Sequence, residues 1–335
     1  MDSLHYILRS GKNPKIPYYV RSYLRYWTPQ RWLAGRLPKL LDEGLRRQDI
    51  DRILDRVAYC NRLEPGTALP DEAPTLGDFR RRDHQSAYFF DSYEIVRWFD
   101  RSLRWSYLFG DVVHVPGIPS VVKSRPIAAP GGIANSVVLN LDKCRHFVFL
   151  KDRRPFRSKQ DRAIFRGSVK DNAQRRLFVD RFAAHPRVDA ADTFAGGDNP
   201  QQRGAQNLQP RISLYDHLDC KFIMALEGND VASNLKWVMS SSSLAVMPRP
   251  TYETWFMEGR LRPDYHYVEV APDFSDLEEK MEYYIARPAE AEAIVANANA
   301  YVAQFRDARR ERLAGLLVMR KYFERTGQLP ASGLF

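Results

Sequence analysis

The 335-residue sequence predicts an α/β protein whose second half is a parallel, doubly wound sheet. Two features carry that expectation: short apolar runs alternate with helical patterns at the spacing of strand–helix–strand units, and glycine, proline or small polar residues punctuate the runs. Ala163-Ile164-Phe165 reads as a strand turned by Gly167, 175–182 as a helix, 222–226 as a buried strand and 231–239 as a helix. Residues 244–247 read as a strand ended by Pro248, 252–258 as a short helix and 266–270 as a strand. Ser275 with Glu278 three residues on has capping-box spacing. The chain then reads as helical from Pro288, a residue tolerated in a helix's first turn, to about Arg325. Residues 195–210 are rich in Gly, Gln, Asn and Pro and are expected to form a loop.

The first half is a mixture of α and β. Leu41, Leu45, Ile50, Ile53, Leu54 and Val57 recur at three- and four-residue spacing and predict a helix over 38–60, with Gly44 as its weak point. Pro65, Gly66, Pro70, Pro74 and Gly77 mark a surface connection. Tyr88-Phe89-Phe90 is strand-like and leads into a helix begun by Asp91 with Glu94 three residues on. Residues 107–129 read as short extended pieces, and 147–150 as a further strand.

Composition sets the outer bounds. With 44% hydrophobic and 27% charged residues the chain can bury a sizeable core, and its length favours two domains. Cys60, Cys144 and Cys220 supply neither a disulfide framework nor a C-x-x-C pair, which favours a reducing compartment. Of the net charge of +10, most lies in residues 1–40, where eight Lys and Arg face Asp2 alone and seven Tyr and Trp are interleaved. No secretory signal and no membrane span is expected. The basic, aromatic segment suits an anionic membrane surface. It also suits a solvated arm whose rings pack on the body, or nucleic acid.

Three segments combine polar residues with glycine at strand ends, where open α/β sheets hold ligands. Arg166, Gly167 and Ser168 offer a phosphate a cation, a close backbone approach and a hydroxyl, against the plainer reading of a surface ion pair beside a turn. In the segment from Glu227 to Lys236, Ala232, Ser233 and Asn234 open the expected helix, present N–H groups to an anion and are followed by Lys236; ordinary helix capping explains the same residues. Asp111, in Phe109-Gly110-Asp111-Val112-Val113-His114, is a carboxylate at a strand–turn junction, suited to take a proton or simply to fix a turn. P-loop, G-x-G-x-x-G, H-E-x-x-H, EF-hand and G-x-S-x-G motifs are absent, and no convincing D-x-D metal–sugar motif occurs.

In this order the segments resemble glycosyltransferase family 90. The resemblance spans about residues 85–290 and is carried by Ala163-Ile164-Phe165-Arg166-Gly167-Ser168, Tyr215-Asp216-His217 and Asn234-Leu235-Lys236-Trp237. Tyr252-Glu253-Thr254-Trp255-Phe256 and His266-Tyr267-Val268 extend it. Lys123-Ser124-Arg125-Pro126-Ile127 and Asp142-Lys143-x-Arg145-His146-Phe147 look most like the bacterial lipopolysaccharide-core branch. The resemblance implies a GT-B arrangement, two Rossmann-like doubly wound domains facing a cleft. The expected divisions are 1–155 on the acceptor side, 156–305 for the nucleotide sugar, and a 306–335 helix packing back on the first.

It further implies inverting, metal-independent transfer from a UDP-sugar to a saccharide or glycolipid. Asp111 would be the base, with Arg166, Gly167, Ser168, Ala232, Ser233, Asn234 and Lys236 around the diphosphate, and His217, Glu227 and His266 near the donor pocket. No cofactor, no metal and no nucleic-acid partner are expected, and the location implied is cytoplasmic, peripheral on the inner membrane face. Where eukaryotic members carry arginines, Asn234 and Val169 stand here. A nucleic-acid-binding module and an inactive saccharide-binding scaffold are the rival readings.

Overall fold

A computed structural model of the chain describes residues 10–193 and 207–335. The first helices are α1 (Lys15–Trp27), α2 (Arg31–Ala34), α3 (Leu37–Leu45), α4 (Ile50–Cys60) and α5 (Ser86–Val96). Short strands β1 (Tyr107–Leu108), β2 (Ser120–Val122), β3 (Ser124–Pro126) and β4 (Ser136–Val138) lead to α6 (Lys143–His146). The regular alternation follows as β5 (Gln160–Gly167), α7 (Ala173–Phe182), β6 (Val188–Asp192), α8 (Leu214–His217), β7 (Cys220–Met224), α9 (Leu235–Val238) and β8 (Leu244–Met247). β9 (Tyr252–Thr254), β10 (Val268–Glu269), α10 (Leu277–Ala286), α11 (Pro288–Ala303) and α12 (Ala308–Arg325) complete the chain.

These elements form two compact units. One comprises the described parts of Met1–Asn13, Arg145–Pro250 and Arg260–Gln304. Its five strands are all parallel, in the order β6-β5-β7-β8-β10. The chain therefore builds β6 outward from β5, then returns past β5 to build the other three strands in the opposite direction. The reversal lies between β5 and β7. Phe165, Phe178, Phe222, Val246, Phe274 and Met281 belong to one buried core beneath this sheet.

The other unit comprises Pro14–Cys144, Thr251–Gly259 and Phe305–Phe335. Its parallel sheet is three-stranded, β1-β2-β4, and β3 pairs antiparallel with β9. Helix α12 forms its apolar spine through Leu313, Leu316, Leu317 and Val318, all buried. A Cβ on Gly44 would lie 2.5 Å from the Leu313 side chain, so the glycine in α3 serves close packing.

Several local expectations are corrected. The 38–60 pattern forms two helices rather than one, because the chain breaks over 46–49, where Arg47 pairs with Asp49 and Asp307. Tyr88, Phe89 and Phe90 lie inside α5, buried all round, so continuous burial masked the helical period. Residues 147–150 form no strand; the Leu150 N–H is held by Ser240 Oγ at 2.9 Å. The 252–258 segment is strand β9 and a turn rather than a helix. Ser275 does not cap α10, since its hydroxyl donates to Asp273 at 2.8 Å and Asp276 precedes the helix. The expected 195–210 loop falls mostly outside the described residues; at its end Leu208 bridges to Asp192.

The antiparallel pair is held by a buried charge pair. Arg125 Nε donates to Glu253 Oε1 at 2.8 Å, with both side chains almost wholly buried. Nη1 and Nη2 of Arg125 also donate to the carbonyls of Ser136 and Tyr59, at 2.9 and 2.8 Å. Glu253 accepts from the Tyr59 hydroxyl as well. Glu253→Gln leaves the guanidinium without its counter-charge, and urea unfolding should register a loss of about 3–5 kcal/mol. A change within about 0.5 kcal/mol would mean that the pair does not fasten this segment.

Candidate functional site at the strand ends

The residues singled out at 166–168 and 227–236 fall at the carboxyl ends of β5 and β7, the neighbours between which winding reverses. In open α/β sheets that crevice is where ligands bind, because the helices leaving the two strands pass to opposite faces. The two segments are stitched together from the first turn of α7. Arg175 Nη1 donates to the Ser168 carbonyl at 2.8 Å, Nη2 to that of Leu226 at 2.8 Å and Nε to that of Glu227 at 2.9 Å. Asn172 Nδ2 donates to the Gly228 carbonyl at 2.8 Å, while its Oδ1 caps α7 by accepting from the Arg175 N–H. A Cβ on Gly228 would meet Arg175 Nη2 at 3.0 Å, so glycine permits this close approach.

Burial, reinforced by the neighbouring charge of Arg145, pushes the Arg175 guanidinium down to about 10. These three hydrogen bonds run to backbone carbonyls and set a cation at the strand ends, with the charges of Asp230 and Asp192 near enough to act on it. Beside it the Ser168 hydroxyl is buried and makes no hydrogen bond among the described residues. Arg175 was not legible as a site residue. In the sequence it is one of two adjacent arginines on a helix, and only the fold turns it toward the strand ends.

The remaining residues divide. Arg166 is paired with Asp189 at 2.8 Å, both side chains half-buried. Gly167 ends β5, and a Cβ there would press on the Phe165 ring at 2.9 Å. Ala232 is buried, Ser233 is half-buried, and Asn234 Nδ2 ties the loop back to the Met224 carbonyl at 2.8 Å. Lys236 is fully buried in α9. That helix begins at Leu235, not near 231, and has only four residues, because Asn234 and its neighbours form a turn.

His217 and His266 stand elsewhere. They precede β7 and β10, so in a parallel sheet they lie at the amino ends of the strands, opposite Ser168 and Glu227. His217 donates through Nδ1 to the Ser213 carbonyl at 2.8 Å and packs edge-on to Trp237. His266 Nδ1 accepts from the Arg262 N–H at 3.0 Å.

Asp111 belongs to the other unit. Its carboxylate is paired with Lys123, whose side chain is 1% exposed against 22% for the acid. The next backbone unit is fixed too. Ser124 Oγ accepts from the Val112 N–H at 3.0 Å and donates to the Val112 carbonyl at 3.1 Å. The buried ammonium fixes where the carboxylate sits.

The family model described as "Glycosyl transferase family 90" matches residues 141–309. The chain is 40% identical over 313 residues to the O-glucosyltransferase LpsA of Dichelobacter nodosus, covering 92% of this chain and 95% of that protein. The chain belongs to glycosyltransferase family 90. A shorter similarity, 34% over 97 residues, links it to the uncharacterized protein 035R of Invertebrate iridescent virus 3, covering 28% of this chain and 9% of that protein. The stretch matched by the glycosyltransferase family 90 model contains the β5 and β7 ends with Arg175, whereas Asp111 lies before it.

His217 yields a measurable consequence. Burial holds its imidazole below the ordinary value of about 6.5, so the unfolded chain takes up the proton more readily than the folded one. Its contribution to stability is complete above about pH 6.5 and is lost as pH falls through the folded value. His217→Gln should flatten the fall in melting temperature between about pH 7 and pH 5 relative to the native chain. Parallel curves would mean that this ring is not kept neutral by the fold.

Proposed function

We propose that this family 90 glycosyltransferase takes its sugar from a UDP-sugar and transfers it with inversion, without a metal ion, to a saccharide acceptor such as lipopolysaccharide core. The observation that carries the reading is the winding reversal between β5 and β7, laced by Arg175, with the Ser168 hydroxyl beside it. A departing diphosphate develops negative charge, and a fixed cation with hydroxyl and backbone donors nearby stabilises that charge without reorganising. The name of the Dichelobacter protein, an O-glucosyltransferase, favours a glucosyl donor.

In this reading Asp111 deprotonates the acceptor hydroxyl as it attacks the anomeric carbon, and Lys123 orients the acid. Inversion needs one such base. The GT-B arrangement and the roles of Gly167, Ala232, Ser233 and Asn234 around the diphosphate belong to the same proposal.

Thermal shift with UDP, GDP and UDP-sugars, each with and without EDTA, tests nucleotide class and metal need together. Stabilisation by UDP and UDP-glucose that survives EDTA is expected. Asp111→Asn should abolish transfer while keeping the UDP shift, which also certifies that the variant is folded. Unchanged turnover would remove Asp111 from the reaction. No response to any uridine nucleotide would remove the donor reading altogether.

A further inference from the structure

Helix α1 presents an apolar stripe to solvent. Ile16, Val20, Leu24 and Trp27 recur at offsets of four, four and three, which places them on one face of a helix. Their exposures are 79, 53, 59 and 71%. The tyrosines of α1 engage α5: the rings of Tyr23 and Tyr26 pack at 4.9 and 5.7 Å from Phe90 and Phe89, the Tyr18 hydroxyl donates to Asp91 at 2.9 Å, and Tyr23, at the edge of the stripe, also meets the Trp27 ring at 6.0 Å. The helix is thus docked by its tyrosines, and docking itself turns the aliphatic stripe outward. Large apolar side chains grouped in this way mark an interaction surface, whereas scattered ones do not.

The charge around the stripe selects its occupant. Residues 10–40 contain seven Lys and Arg and no Asp or Glu. Arg25 is neutralised by Glu94 at 2.7 Å and Lys39 lies 3.9 Å from Glu43, but Lys15 and Arg21 on α1 are exposed, as is Arg36 beyond it. Apolar residues ending in a tryptophan and flanked by cations match the boundary between acyl chains and anionic headgroups. Single-stranded nucleic acid is gripped by stacking on aromatic faces, and here the tyrosines of α1 are turned toward α5.

We propose that α1 lies in the plane of an anionic phospholipid surface, with Ile16, Val20, Leu24 and Trp27 among the acyl chains and Lys15 and Arg21 at the headgroups. The proposal does not depend on the donor reading. Co-sedimentation of the full chain with vesicles of phosphatidylethanolamine and phosphatidylglycerol, and with vesicles of phosphatidylcholine alone, tests it. The native chain should partition onto the anionic vesicles and scarcely onto the neutral ones. The double variant Leu24→Ser, Trp27→Ser should lose at least about tenfold in partition, as expected for withdrawing two apolar side chains from the interface.

Both substituted residues are exposed and the Trp27 ring only borders that of Tyr23 at 6.0 Å, so the melting temperature should fall by a few degrees at most and any UDP shift should stay, which separates this outcome from misfolding or from failure of the donor site. Equal partition of the native and double-variant chains overturns the proposal. So does a native dimer in size-exclusion chromatography that the double variant splits, which would assign the stripe to a second copy. Tight, salt-sensitive binding of a single-stranded RNA probe that the double variant loses would likewise overturn it, in favour of nucleic acid.

Discussion

Where a parallel sheet reverses its winding, the last carbonyls of two neighbouring strands lose the partners that the ladder gave them, and the chain must supply donors or leave the groups to water. In this protein one side chain meets most of that need at β5 and β7. Arg175 spreads its forked donors over carbonyls from both strand ends, a geometry for which a guanidinium is suited and an ammonium is not. The cost is a partly desolvated charge, visible in its lowered proton affinity. Hydrogen bonds from a charged donor, at about 1.5–3 kcal/mol each, offset it. Gly228 and Asn172 follow from the same requirement, since the loop can approach the guanidinium only without a Cβ and is pinned by the residue that caps α7.

The second unit solves a related problem with consecutive buried polar residues. Lys123, Ser124 and Arg125 run from the end of β2 into β3, and each fastens a different segment: Lys123 the acid at 111, Ser124 the backbone of Val112, Arg125 the returning strand β9 through Glu253. Apolar side chains of similar volume would not necessarily be less stable, because burying ion pairs costs nearly as much as it returns. Apolar contacts, however, lack direction. The polar set fixes the orientation of Asp111 while leaving part of its carboxylate exposed.

The sequence was most readable where burial is one-sided or a strand is short and continuous. The 244–247 strand appeared with its observed bounds, β5 and β7 with shifted ends, and the glycine-bearing segments at 167 and 228 at the strand ends. It was least readable where packing erases period. Helix α5 is apolar on nearly every face at 88–90 and reads as a strand. Helix α1 conceals the opposite problem: its tyrosines and aliphatic residues both count as apolar, and only the packed structure shows that the tyrosines are docked while the aliphatics are not. The charge of Arg175 was invisible for a third reason, since direction along a helix face depends on which sheet the helix crosses.

One consequence bears on how a diphosphate would be held in the proposed reaction. The sequence suggests a helix amino terminus as the source of positive potential, but α9 has a single turn and aligns few peptide dipoles. A full-length helix presents only about half an elementary charge at its end, and a four-residue one presents less. A guanidinium contributes a whole charge. At an effective dielectric of about 20 it is worth about 2 kcal/mol to an anionic oxygen even at ~8 Å, without direct contact. Asp230 and Asp192 act on the same guanidinium and reduce that figure, yet Arg175 remains the larger positive element beside the single turn of α9, and its commitment to backbone carbonyls keeps the charge in place.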